Sequence, residues 1–311
     1  MLDDREDLQV KADGDRARRR PAQARGGKNG AAPSIAASLA GLAGAIFAGP
    51  ALACSATEPC TLPTGQYFAR VPGAWDGRSP LPTLLFLHGH NGSAAQIMAD
   101  AQLAVTLDAL GVLLVVPDGV GKSWSFAGKL TGPRDDIAFL ESVADDVALR
   151  FPVDRRRLVA SGFSVGGSMV WYLACQGNGR FAAYAPVAGA FWLPEPQDCI
   201  GGPQNLRHIH GTDDAVVPMK GRRVGAGFQQ GDVLRGMATW QRVNGCAQPP
   251  VTTIVDGMTC ERWDASGCDG RRTLMLCLHA GGHDVRAAWA ADAMGWADEL
   301  ARRDSGQAAA P

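Results

Sequence analysis

No cysteine occurs in the first 53 residues, no Cys-x-x-Cys spacing occurs anywhere, and no apolar run reaches the length of a membrane span. Each absence excludes something. All eight cysteines (Cys54, Cys60, Cys175, Cys199, Cys246, Cys260, Cys268 and Cys277) fall in the rest of the chain, and their even number is what a disulfide framework requires. The missing close spacing argues against a cysteine zinc site. The apolar stretch over residues 35–47 falls short of the roughly 20 residues a spanning helix needs, so no membrane span is expected. Net charge is also scarce, at −1, which gives no electrostatic reason to expect nucleic acid or an anionic membrane as partner. Repeats and low-complexity blocks are missing too. What is present, 311 residues that are 46% hydrophobic and 20% charged, suffices for the core of one large domain.

Charge is unevenly placed. Residues 1–53 carry eight Lys and Arg against six Asp and Glu, and leave a mildly acidic remainder. Arg18, Arg19, Arg20, Arg25 and Lys28 precede the stretch from Ile35 to Phe47, and Ala51-Leu52-Ala53 supplies the small-x-small pattern read by signal peptidase. The expected organisation is a charged leader and signal peptide over 1–53, a catalytic domain over 54–303 and a disordered tail over 304–311. Export, to the periplasm or out of the cell, agrees with the cysteine count. The expected pairs are Cys54 with Cys60, Cys175 with Cys199, and two bridges among Cys246, Cys260, Cys268 and Cys277.

Short Val-, Leu-, Phe- and Ile-rich runs ended by Gly, Pro or Asp predict buried strands at Leu84–Leu87, Val112–Val116, Leu158–Ala160, Ala185–Val187, His208–His210 and Leu274–Leu278. Helices are expected between them, over Ser93–Leu110, Asp135–Arg150, Val165–Cys175, Asp232–Val243 and Val285–Arg302, with Ser93 and Asp135 as N-caps. This alternation predicts an α/β fold: a mostly parallel central sheet with helices on both faces in a single domain, its chemistry at the carboxyl ends of the strands.

The chemical signal follows the third of these runs. Gly162-Phe163-Ser164-Val165-Gly166-Gly167 is a G-x-S-x-G elbow between a strand and an apolar helix, the setting in which a serine hydroxyl is held above the sheet of an α/β-hydrolase fold. Serine needs a base at neutral pH, and in this fold the order is Ser, then Asp or Glu, then His. His283, beyond the last strand, is the candidate base. Asp214, in the loop from His210 to Pro218, is the candidate orienting carboxylate, with Asp213 as its rival. The turn Leu87-His88-Gly89-His90-Asn91-Gly92 and the elbow suggest an oxyanion hole from the backbone N–H groups of His90 and Val165. His208-x-His210 with Asp213 or Asp214 also permits a metal reading. Because the elbow already supplies a complete mechanism, no metal or cofactor is expected.

These motifs form a set. Leu87-His88-Gly89, Pro117-Asp118-Gly119 with Trp124, Asp135-Asp136-Ile137-Ala138-Phe139, Val153-Asp154-Arg155, the elbow, Leu173-Ala174-Cys175, Ala185-Pro186-Val187-Ala188-Gly189, the loop from His210 to Pro218 and Gly282-His283 resemble the secreted polyhydroxybutyrate depolymerase-like esterases. That group is related to the feruloyl and acetylxylan esterases of carbohydrate esterase family 1. The resemblance covers roughly Leu62 to Leu300. It implies a triad of Ser164, Asp214 and His283, favours Asp214 over Asp213, and matches Cys175 and Cys199 to a helix cysteine and a later one. Two departures adjoin the site: Met219 stands where an aromatic residue often follows Val-Pro, and Asp284-Val285-Arg286 replaces the Trp-Pro-Gly often found after the histidine.

The expected substrate is a small or oligomeric carboxylic ester, with hydroxyalkanoate oligomers first and feruloylated or acetylated plant polysaccharide as the alternative. A peptidase of the same fold and a non-catalytic binding protein are further alternatives. Trp124 and Trp192, in loops after strands, are candidates to line the substrate pocket or, equally, to anchor packing.

Overall fold

The six apolar runs all become strands of one ten-stranded sheet in the computed structural model, which describes residues 54–126, 133–225 and 227–306. They are β3 (Leu81–Leu87), β4 (Leu113–Pro117), β5 (Val153–Phe163), β6 (Ala183–Val187), β7 (Leu206–Gly211) and β12 (Leu274–His279). They run parallel in the order β4-β3-β5-β6-β7-β12. An antiparallel hairpin extends each side of this block. β1 (Cys60–Leu62) and β2 (Gly65–Arg70) join through β4, whereas β11 (Met258–Trp263) and β10 (Val251–Val255) join through β12. A small separate ribbon pairs β8 (Arg223–Val224) with β9 (Phe228–Gln229).

Strands β4, β6 and β7 are buried along their whole length because both faces of the sheet are covered. Leu85 and Leu87 of β3 pack with α3 (Asp136–Arg150), α4 (Val165–Gln176) and α5 (Val233–Asn244), through residues such as Val143, Val170 and Trp240. Their neighbours Leu84 and Phe86 point the other way, toward α1 (Ala94–Met98), α2 (Ala101–Ala109) and α6 (Ala287–Asp304), where Met98, Leu107 and Trp296 meet them. Strand alternation thus divides the core into two layers.

Local chemistry fixes the boundaries. Ser93 caps α1 by accepting from the Gln96 N–H, and Asp135 caps α3 by accepting from that of Ala138. The single helix expected over 93–110 is instead two. The Asp100 backbone is extended, with φ −70° and ψ 102°, and its carboxylate accepts the N–H groups of Gln102 and Leu103, both at 3.0 Å, so one turn stops and another is capped. Helix α6 continues to Asp304, so the first residue of the expected tail is helical.

Four disulfides use every cysteine: Cys54–Cys60, Cys175–Cys199, Cys246–Cys268 and Cys260–Cys277. The third joins the end of α5 to the loop before β12, and the fourth links directly opposed residues of β11 and β12. The leader and signal peptide expected over 1–53, and residues 307–311 of the expected tail, lie outside the described residues. Among the described residues, no helix is long and apolar enough to cross a membrane.

Candidate active site

Where β5 meets α4 the chain makes a sharp turn with Ser164 at φ 59° and ψ −120°, a conformation sparsely populated by residues with a side chain. Its backbone N–H is fixed to Val187 O of the adjacent β6 at 3.0 Å. The elbow glycines follow from close approach rather than flexibility. A Cβ on Gly166 would collide with the carbonyl oxygens of Leu87 and His88, and one on Gly162 would lie 2.7 Å from Gly166 O. The start of α4 therefore rests directly on the loop that closes β3.

Beyond β12, the turn through Gly281 and Gly282 brings His283 over the elbow, its ring against Phe163 at 4.6 Å between centroids. His283 Nε2 is 2.9 Å from Ser164 Oγ, and Nδ1 is 2.7 Å from Asp214 Oδ2. A carboxylate can only accept, so Nδ1 carries the proton and Nε2 faces the serine hydroxyl with its lone pair. Asp214 is buried and held by two further donors: Oδ1 accepts the N–H groups of Val216 at 2.8 Å and Val217 at 2.7 Å. Asp213 is exposed, and its backbone N–H donates to Gly281 O. Geometry therefore brings Ser164, Asp214 and His283 together and leaves Asp213 outside.

The turn after β3 lies beside Ser164, and a Cβ on Gly89 would stand 3.4 Å from Ser164 Cβ. Within it, the Gly92 N–H donates to Gly89 O and the Asn91 N–H to Lys122 O. The N–H groups of His90 and of Val165, the first residue of α4, have no hydrogen-bond partner among the described residues.

His88, Asp118 and Asp136, which the sequence places within motifs without assigning them a role in the site, hold this turn together with Arg134. His88 is buried; its Nδ1–H donates to Gly89 O at 2.8 Å and its Nε2 accepts the Gly119 N–H at 3.0 Å. Burial pushes its pKa down, which suits a neutral ring making both contacts. Asp118 accepts the Ala94 N–H and the Gln66 side-chain amide. Arg134 donates to Asp118 O and pairs with Asp136, whose other oxygen accepts the Ser125 N–H. Pro117-Asp118-Gly119 at a strand end was the available signal.

Both tryptophans are buried. Trp124 is 1% exposed, and its indole N–H donates to His88 O at 2.8 Å, so it supports the turn from below. Trp192 is 5% exposed; its indole N–H donates to Ser168 Oγ, and its backbone N–H to the Tyr172 hydroxyl. In both, the indole N–H is satisfied within the protein. His208 and His210 bond to each other rather than converging on a common point. Among the described residues, no group of three or more His, Cys, Asp or Glu is arranged to hold a metal ion.

No protein-family model matches the chain. Among solved structures it is similar to an acetyl xylan esterase from Aspergillus awamori, with a TM-score of 0.59 at 15% identity, covering 77% of this chain and 98% of that one. The fold is the α/β-hydrolase fold. In sequence the chain is 29% identical over 244 residues to feruloyl esterase B of Piromyces equi, covering 72% of this chain and 44% of that protein, so it spans less than half of that relative's length. It is 26% identical over 227 residues to a probable feruloyl esterase C of Aspergillus clavatus, covering 70% of this chain and 75% of the other.

Proposed function

We propose that this chain is an exported serine hydrolase of carboxylic esters and that it removes acyl decorations, feruloyl or acetyl, from plant polysaccharide. The observation that carries the reading is the continuous chain Ser164 Oγ, His283, Asp214, at 2.9 and 2.7 Å, mounted on a strained elbow. As Ser164 Oγ attacks the ester carbonyl, His283 Nε2 takes the hydroxyl proton and Asp214 stabilises the imidazolium. Oxygen charge in the tetrahedral intermediate is received by the His90 and Val165 N–H groups. His283 then protonates the departing sugar alcohol, and water, activated by the same ring, releases the acid from the acyl-enzyme.

The names of the similar proteins favour the polysaccharide alternative over the hydroxyalkanoate oligomers expected from sequence. Four disulfides support an oxidising compartment, as export requires. The test is turnover by the purified chain of feruloylated and acetylated xylo-oligosaccharides and of hydroxybutyrate oligomers. Turnover of the sugar esters, abolished by about 10⁴-fold or more in Ser164→Ala, is the expected result. Preference for hydroxybutyrate oligomers would overturn the substrate class, and undiminished activity of Ser164→Ala would overturn the mechanism.

A further inference from the structure

Two buried histidines that the mechanism does not use lie directly behind the orienting carboxylate. His208 and His210 project from the same face of β7, both with no exposed surface, and His208 Nε2 is 2.9 Å from His210 Nδ1. The hydrogen bond to Val217 fixes the tautomer of His210, and the contact between the two rings sets that of His208. His210 Nε2 lies 2.7 Å from Val217 O, which can only accept, so Nε2 carries the proton. In a neutral ring Nδ1 is then bare and receives the proton on His208 Nε2. His208 Nδ1 in turn meets the Trp171 indole N–H at 3.3 Å and Pro186 O at 3.0 Å. With the His208 proton on Nε2, the bare Nδ1 accepts the indole N–H, and the Pro186 carbonyl beside it receives no hydrogen bond from this ring. Burial pushes the pKa values of both rings down, which favours their neutral forms. The titratable groups around His210 are His208, Asp214, His279 and His283.

The chain of donors runs from Trp171 through His208 and His210 to Val217, and Val217 is gripped twice. Its carbonyl accepts from His210, and its N–H donates to Asp214 Oδ1 at 2.7 Å. The imidazole also stands alongside the other carboxylate oxygen, with His210 Nε2 3.6 Å from Asp214 Oδ2, too long for a hydrogen bond. We propose that His210, seated by His208 and Trp171, is a positioning residue that locks the Asp214 carboxylate in the plane in which it orients His283. This rests on the triad reading given above.

The experiment uses the full chain carrying His210→Leu, His210→Gln, His210→Asn or Ser164→Ala. A short-chain nitrophenyl ester gives kcat and KM, and proton NMR follows the downfield resonance of the His283 Nδ1–H. A Gln side chain can bring an N–H to the place of Nε2, whereas Asn reaches only as far as Nδ1. The Leu and Asn variants are expected to lose about 10- to 100-fold in kcat at a KM within about two-fold, with the downfield resonance weakened, while Gln stays within about three-fold of the parent. If Leu prevents folding, the contrast between Gln and Asn carries the test. Equal kcat and equal resonances in Gln and Asn, or a folded Leu variant matching the parent, would overturn the proposal. Activity that survives Ser164→Ala would instead overturn the triad reading, so the two failures are distinguishable.

Discussion

Replacing Trp124 with Phe separates support of the oxyanion turn from contact with substrate. Trp124 is 1% exposed, its ring lies 4.9 Å from that of His88, and its N–H is the donor to His88 O. A phenyl ring keeps most of the apolar contact and removes that donor. A buried carbonyl left without a partner costs about 1–3 kcal/mol, and the smaller ring adds roughly 1 kcal/mol of lost packing. At a total near 3 kcal/mol, the melting temperature should fall by about 6–12 °C. His88 is two residues from the proposed donor at His90, so the freed turn should surrender part of the 10² to 10³ in rate that one oxyanion donor supplies. We expect about a ten-fold loss in kcat, with KM within about two-fold, equal for acetyl and feruloyl esters. Calorimetry and steady-state kinetics on both esters check this. A KM that climbs with the bulk of the acyl group, at unchanged melting temperature, would refute the reasoning and return Trp124 to the pocket wall.

Acid should destabilise the fold through its histidines. The rings of His88, His208 and His210 have pKa values lowered chiefly by burial, so below about pH 6.5 the unfolded chain binds protons that the folded one does not. Stability is thus complete above that pH and falls as pH drops below it, by up to about 1.4 kcal/mol per pH unit for each ring. Urea midpoints at pH 7.5 and 5.5 measure this, and equal midpoints would contradict it. Removing the bridge across β11 and β12 with Cys260→Ala and Cys277→Ala opens a loop of sequence separation 17 and should cost about 3 kcal/mol. Because neither cysteine touches the triad, kcat at 20 °C should stay within about two-fold, and a larger loss would link that hairpin to the site.

The sequence made the centre of this molecule legible and its margins obscure. The buried parts of β3 to β6 and β12 showed because burial on both faces favours apolar runs, and the elbow showed because its glycines answer the close approach of neighbouring backbone. β10 had no such signature: Val251 to Ile254 are exposed, so no pattern of inward residues marks the strand. Asp100 was invisible as a break because an N-cap inside an apolar stretch reads as one polar position of a longer helix. Spacing alone does not separate Asp214 from Asp213, one place apart in a turn; the family resemblance favours Asp214, whose carboxylate the fold buries while Asp213 is exposed. The tryptophans were ambiguous for a related reason: a loop position tells nothing of which way a large ring turns.

The reach of the triad along the chain has a kinetic meaning. Ser164 and His283 are 119 residues apart and Asp214 and His283 are 69 apart, and His283 follows β12, a strand whose place is made by pairing with β7. Such distant contacts form late, after the loops between them have been closed. On the proposed mechanism, Ser164 is synthesised well before His283, so hydrolysis would require β12 to have paired with β7. A serine-directed active-site probe would then count molecules in which β12 has docked rather than all those synthesised.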